Sequence, residues 1–214
     1  MTSPAAAART GTTGALQDRL GRAQQQARAL GIDALLVSPS ADLRYLTGYD
    51  AKPLERLTCL VLPADGDPVL VVPALERAAA LASPIGAAGL EVAAWQETAD
   101  PYALVVSMLP TEAAAGTLAL DNRMWAEKVL ALRAAVPDAR QVLADPVLGA
   151  LRMRKAPDEV DALRAAGQAI DRVHRRMGEW LRPGRTERQV GRDIADAIAA
   201  EGHVSVDFVI VGSG

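Results

Sequence analysis

The spacing of apolar residues changes several times along this chain, and each change marks an element. Leu16, Leu20, Ala23, Ala27 and Leu30 recur at steps of three and four, one face of a helix that Gly31 stops. Ala34–Val37 is an uninterrupted apolar run between Asp33 and Ser38-Pro39, as in a buried strand. Residues 57–62 and 69–72 read as paired strands around Pro63-Ala64-Asp65-Gly66-Asp67-Pro68, whose Asp-Gly step signals a tight turn. A short helix over 74–81 and a strand over 90–95 follow. Pro101 opens a helix with Leu104, Val105, Met108 and Leu109 facing inward. Residues 117–121 then form a strand and 124–135 a helix closed by Pro137, before a short strand at Val142-Leu143 and a turn of helix over 146–151.

From residue 152 the pattern shifts. Arg152-Met153-Arg154-Lys155 is a compact basic run, and Val160, Leu163, Gly167, Ile170, His174, Met177 and Leu181 then predict one long helix. Pro157 suits its first turn, Asp158 and Glu159 complement its dipole, and Pro183-Gly184 breaks it. Thr186 with Gln189 matches a capping box for a second helix, lined by Val190, Ile194, Ala197 and Ile198 and ended by Gly202. A strand is expected over 206–211. The reading is therefore α/β with a mixed sheet over 15–151, preceded by a disordered tail at 1–14, and a second region at 152–214. Two amphipathic helices and one strand are too little to satisfy themselves, so that region is expected to be an incomplete module.

Composition narrows the function. Hydrophobic residues make up 50% of the chain and aromatics 3%, so the core is aliphatic. Up to position 151 there are 12 basic and 16 acidic residues, and beyond it 11 and 10, which excludes a polyanion-binding surface and so implies no nucleic-acid partner. No stretch approaches the length of a membrane span, and the first 14 residues lack the apolar segment of a secretion signal, so a cytoplasmic protein without membrane contact is expected. Cys59 is the one cysteine, which leaves no disulfide framework and no thiolate cluster.

Candidate chemistry is sparse. HExxH, CxxC, GxSxG and P-loop motifs are absent. His174 on the apolar stripe and His203 after a helix-ending glycine both read as structural, and Asp207 sits oddly within an apolar strand. The segment Asp42-Leu43-Arg44-Tyr45-Leu46-Thr47-Gly48-Tyr49 puts an Arg and two Tyr in what reads as a loop after the first strand, where α/β folds place ligand-binding loops.

That segment resembles the N-x-R-Y-L-T-G-F/Y stretch of creatinase, prolidase and aminopeptidase P relatives. Residues 151–160 resemble their interdomain junction, R-x-x-K-S-P-x-E-I, and Arg182-Pro183-Gly184-Arg185-Thr186-Glu187 is similar to their P-G-x-T-E link. Ala156 departs from the junction, where relatives often have Ser; losing that cap should weaken the helix end by ~1 kcal/mol.

The resemblance implies an N-terminal α/β domain, then the first helices and strand of an α+β pita-bread domain, usually in a homodimer acting on peptides. It implies hydrolysis of bonds preceding proline by two divalent ions (Mn, Co or Zn), held by two Asp, one His and two Glu downstream of Gly212. No catalytic or metal-binding residue is therefore expected here, and this piece is expected to be inactive by itself. Arg44, Tyr45 and Tyr49 are the substrate-binding candidates. A creatinase-like metal-free C–N hydrolase and a non-catalytic peptide- or protein-binding homologue are the alternatives.

Overall fold

The computed structural model describes residues 13–213, so positions 1–12 of the expected tail lie outside the described residues. Thr13 and Gly14 already belong to helix α1 (Thr13–Ala29). The chain then alternates through β1 (Ala34–Val37), α2 (Ala41–Thr47), β2 (Cys59–Pro63), β3 (Val69–Pro73), α3 (Arg77–Leu81), α4 (Pro84–Ala87) and β4 (Glu91–Trp95). It continues with α5 (Pro101–Ser107), β5 (Thr117–Leu120), α6 (Ala126–Ala135), β6 (Arg140–Leu143) and α7 (Asp145–Met153). The last helices are α8 (Pro157–Arg175), α9 (Met177–Trp180) and α10 (Glu187–Ala200). The chain divides into two compact units between Arg154 and Lys155.

In the first unit the six strands form one sheet in the order β4-β3-β2-β1-β5-β6. β2 pairs antiparallel with β1 and β3, while β1–β5, β5–β6 and β3–β4 are parallel, so the sheet is mixed. Alternate residues of each strand serve opposite faces. Leu35, Val37, Leu60, Leu62, Leu70 and Val72 pack under α1, α2 and α7. Ala34, Leu36, Val61, Val71, Leu118 and Leu120 pack under α5 and α6. Covering both faces explains why β1, β2 and β3 are apolar at every position rather than at every second one.

The expected helix over 74–81 is interrupted: a 3₁₀ turn (Ala74–Glu76) precedes α3, and Ser83, whose hydroxyl accepts from Gly86 N, starts α4 separately. At Gly86 a Cβ would meet the Ala80 carbonyl at 2.2 Å, so the two short helices cross too closely for any side chain there.

In the second unit, Val173, Trp180, Val190, Ile194 and Ala197 form a small core. Three expectations are corrected in this unit. The long helix is not continuous to Leu181: it tightens at Arg176, where φ −94° and ψ 0° end α8 and Arg176 N donates to the Val173 carbonyl. The Arg176 guanidinium then pairs with Glu179 at 3.0 Å and stacks over Trp180. The buried face is also displaced by one residue from the expected stripe. Ala169, Val173 and Trp180 point inward, whereas His174 is exposed, Leu163 is 59% exposed and Leu181 is 59% exposed. One residue is about 100° around a helix, and the small Ala169 and branched Val173 fit against α10 better than a histidine would.

The expected strand over 206–211 is likewise not formed, because no described strand lies beside it to accept a ladder. Val209 and Val211 instead pack on the helical core, while Phe208 and Ile210 are exposed. At the α8 start, the Ala156 methyl caps nothing, and only the Glu159 carboxylate accepts from Ala156 N, at 2.9 Å.

Cys59 lies at the start of β2 with no exposed surface, and burial, assisted by the Asp121 charge, pushes its thiol up to about 12. Only the thiolate reacts. Iodoacetamide at pH 8 should leave the folded protein unmodified and add one label per chain in denaturant. Labelling of the native protein on the denatured timescale would refute this burial.

Candidate functional site

The segment singled out in the sequence begins where β1 ends. Ser40 is extended (φ −167°, ψ 176°), and its hydroxyl accepts from Asp42 N at 3.2 Å and Leu43 N at 3.3 Å. These contacts satisfy amides that a helix start leaves without partners, so residues 41–47 wind into α2 rather than the expected loop. Gly48 closes it in the left-handed region at φ 68°, donating its N–H to the Arg44 carbonyl at 2.8 Å. A Cβ there would also lie 2.9 Å from Pro84 Cγ. The cap residue and the trailing glycine were both visible in the sequence.

α2 carries its first turn into a polar cluster at the carboxyl ends of β1, β5 and β6. Ser40 Oγ donates to Asp121 Oδ2 at 2.6 Å, and Arg123 N donates to the other oxygen of the same carboxylate at 2.8 Å. Asp145 N donates to Asn122 Oδ1 at 3.0 Å, tying the α7 start to the β5 exit. Arg152 Nε lies 2.7 Å from Asp42 Oδ1, a charge contact without hydrogen-bond alignment. The first motif and the junction motif, more than a hundred positions apart, therefore meet in space. Burial pushes the Asp42 carboxyl above its ordinary value; Arg152 and Arg123 oppose this, and Asp121 and Asp145 add to it. Sequence reasoning missed Asp121 and the Asp42–Arg152 pair, although an acid directly after a parallel strand was a usable signal.

The three predicted binding residues face different partners. Arg44 is exposed and pairs with Asp50 at 3.6 Å. Tyr45 lies beneath Arg19, whose guanidinium stands 4.6 Å from the ring centroid and donates to the Tyr45 carbonyl at 3.1 Å. Tyr49 is buried, and burial together with the negative charge of Glu76 raises its phenol; Glu76 accepts from Thr58 at 3.3 Å. The segment after Tyr49 is held by Lys128 of α6. This lysine is 2% exposed, donates to the carbonyls of Leu54 and Arg56, and stands 4.7 Å over the Trp125 ring. Burial lowers its pKa.

Among the described residues no group of three or more His, Cys, Asp or Glu could hold a metal ion. His203 keeps its Nε2 buried without a hydrogen-bond partner, and Asp207 is exposed. No described helix is long and apolar enough to cross a membrane. The strand-end cluster holds its groups in place by mutual hydrogen bonds and charge, and its chemistry is that of positioning.

Asp42 gives a measurable pH signature. Its raised pKa means that the folded chain binds the proton more tightly than the unfolded chain, whose value is about 3.9. Its contribution to stability therefore falls as pH rises above about 4. In urea unfolding between pH 4 and 7, the stability difference between wild type and Asp42→Asn should shift in favour of the variant as pH increases. A constant difference across that range would refute the assignment.

The Creatinase/Prolidase N-terminal domain profile matches residues 19–154, and so ends where the first unit ends. The probable dipeptidase PepE of Mycobacterium bovis is 48% identical over 196 residues, 92% of this chain and 52% of that protein. The crystal structure of dipeptidase PepE from Mycobacterium ulcerans superposes with a TM-score of 0.86 at 46% identity, covering 94% of this chain and 53% of that one. A prolidase from Thermococcus sibiricus shares the fold, with a TM-score of 0.72 at 24% identity over 90% of this chain and 51% of that one. The chain thus spans about half the length of these relatives. It belongs to the creatinase/prolidase family, whose N-terminal domain is formed by the first of its two units.

Proposed function

We propose that the complete protein is a metal-dependent Xaa-Pro peptidase of the prolidase or aminopeptidase P type, hydrolysing peptide bonds that precede proline. The observation that carries this reading is the reach of the likeness to the dipeptidases. A match of 196 residues, 48% identical over its whole length, cannot fit within a first unit that ends at Arg154 and so continues into the second. In this reading residues 15–151 are the N-terminal domain and 152–214 open the pita-bread catalytic domain. The protein works on peptides in the cytoplasm as a homodimer.

Two divalent ions (Mn, Co or Zn) belong to this proposal, and when bound they would acidify the attacking water. The described residues offer no donor set for them. No step of the hydrolysis is therefore assigned to a residue of this chain.

The contribution proposed for the described residues is substrate contact by α2. Arg44 presents an exposed cation suited to a peptide carboxylate. Tyr45 offers a ring steadied by Arg19, and the buried Tyr49 supports the end of the segment.

The complete protein should release proline from alanyl-proline, lose that activity with a chelator and regain it with Mn²⁺. Absence of turnover with any of Mn²⁺, Co²⁺ or Zn²⁺ would overturn the peptidase reading in favour of a C–N hydrolase or a non-catalytic binder. Tyr45→Ala should raise KM for short peptides with a smaller change in kcat. An unaltered KM would remove α2 from the substrate site.

A further inference from the structure

β6 is an end strand of the sheet and, among the described residues, pairs only with β5. The amides of Arg140 and Ala144 donate toward β5, to the carbonyls of Gly116 and Leu120, each at 2.8 Å. Successive residues of a strand turn their backbone groups to opposite sides, so Gln141 and Leu143 direct theirs to the open edge. Native sheets blunt such edges with Pro, Lys, a bulge or a covering element. Within 140–143 there is no Pro or Lys, and the register to β5 is unbroken.

Beside this edge runs a groove of about 430 Å³ with apolar walls from Leu30, Ile32, Val142, Leu143 and Pro146. Leu30 and Leu143 are 47% and 61% exposed. Arg140 is the one charged residue lining the groove among the described residues, and its guanidinium forms no ion pair there. An unpaired cation among largely apolar groove walls is complementary to a chain that carries an apolar side chain and a carboxylate. Arg140 and Val142, two positions apart, share one face of the strand, so those two groups would also lie two residues apart.

We propose that the β6 edge binds an extended peptide segment by strand addition. Its backbone continues the ladder at Gln141 and Leu143, an apolar side chain fills the groove, and an acidic side chain two residues away meets Arg140. The site is independent of the peptidase reading, because recognition here needs neither proline nor turnover.

The test uses the complete protein and a fluorescein-labelled, C-terminally amidated nonapeptide of alternating threonine and leucine. One leucine has a glutamate two residues away, and the matched control carries lysine in place of the glutamate. Fluorescence anisotropy should show saturable binding of the glutamate peptide and weaker binding of the lysine peptide. Arg140→Glu should weaken binding of the glutamate peptide about tenfold and improve that of the lysine peptide. Because Arg140 is exposed, the variant's thermal midpoint should be unchanged. Leu143→Asp, at a second exposed position, should weaken both peptides. Lack of saturation, or equal binding of both peptides by both wild type and Arg140→Glu, would overturn the proposal. So would sedimentation data showing that self-association through this edge, abolished by Leu143→Asp, excludes the peptide.

Discussion

Burial of the sheet on both faces is the constraint from which the first unit follows. β1, β2 and β3 lie between two helical layers, so every side chain along them must be apolar and every backbone polar group must find its partner within the sheet. Charged groups are thereby expelled to the strand ends. That is where Ser40, Asp42, Asp121, Arg123, Asp145 and Arg152 gather. Carboxylates buried at such a place are tolerable because each has partners: a hydroxyl and a backbone amide for Asp121, a guanidinium for Asp42. The same constraint loosens at the end strands, and β4 and β6 show mixed exposure along their length.

Against this frame, α2 connects parts that are distant in the chain. Its start is fixed by Ser40, its end by Gly48, and its first turn by Arg152 from the helix that closes the first unit. Lys128 adds a second fixture by capping carbonyls of the segment that leads from Tyr49 back into β2. A buried lysine is unfavourable unless its ammonium is satisfied, and here two carbonyls and an indole face supply that compensation. The motif therefore has a structural reason to contain small, polar and aromatic residues in close succession, beside any contact with substrate.

The second unit has a different balance. Its core rests on Trp180 with Val173, Val190, Ile194 and Ala197, gathered from three helices, and Val209 and Val211 of the stretch after them pack against it. Arg172–Glu201 at 2.7 Å and Arg185–Asp193 at 2.6 Å tie its periphery, but partly exposed ion pairs contribute little to stability. An apolar stripe that includes Leu163 stays exposed on α8, while the buried side of that helix is a neighbouring one.

The sequence by itself determined the alternation of elements, the hairpin, the mixed sheet and the family, because these rest on local periods, turn chemistry and short motifs within a few residues of one another. It also contained the Ser40 cap and the Gly48 stop that make α2 a helix, although an Arg- and Tyr-rich stretch reads more readily as a loop. Tertiary structure alone decided which side of α8 is buried, since two adjacent stripes were both apolar enough and packing against α10 selected the one bearing Ala169 and Val173. It decided that residues 206–211 form no strand, because a ladder needs a neighbour that local preference cannot supply. It alone brought Asp42 to Arg152 and Lys128 to Leu54, because pairing between groups so far apart along a chain depends on how the layers close over the sheet.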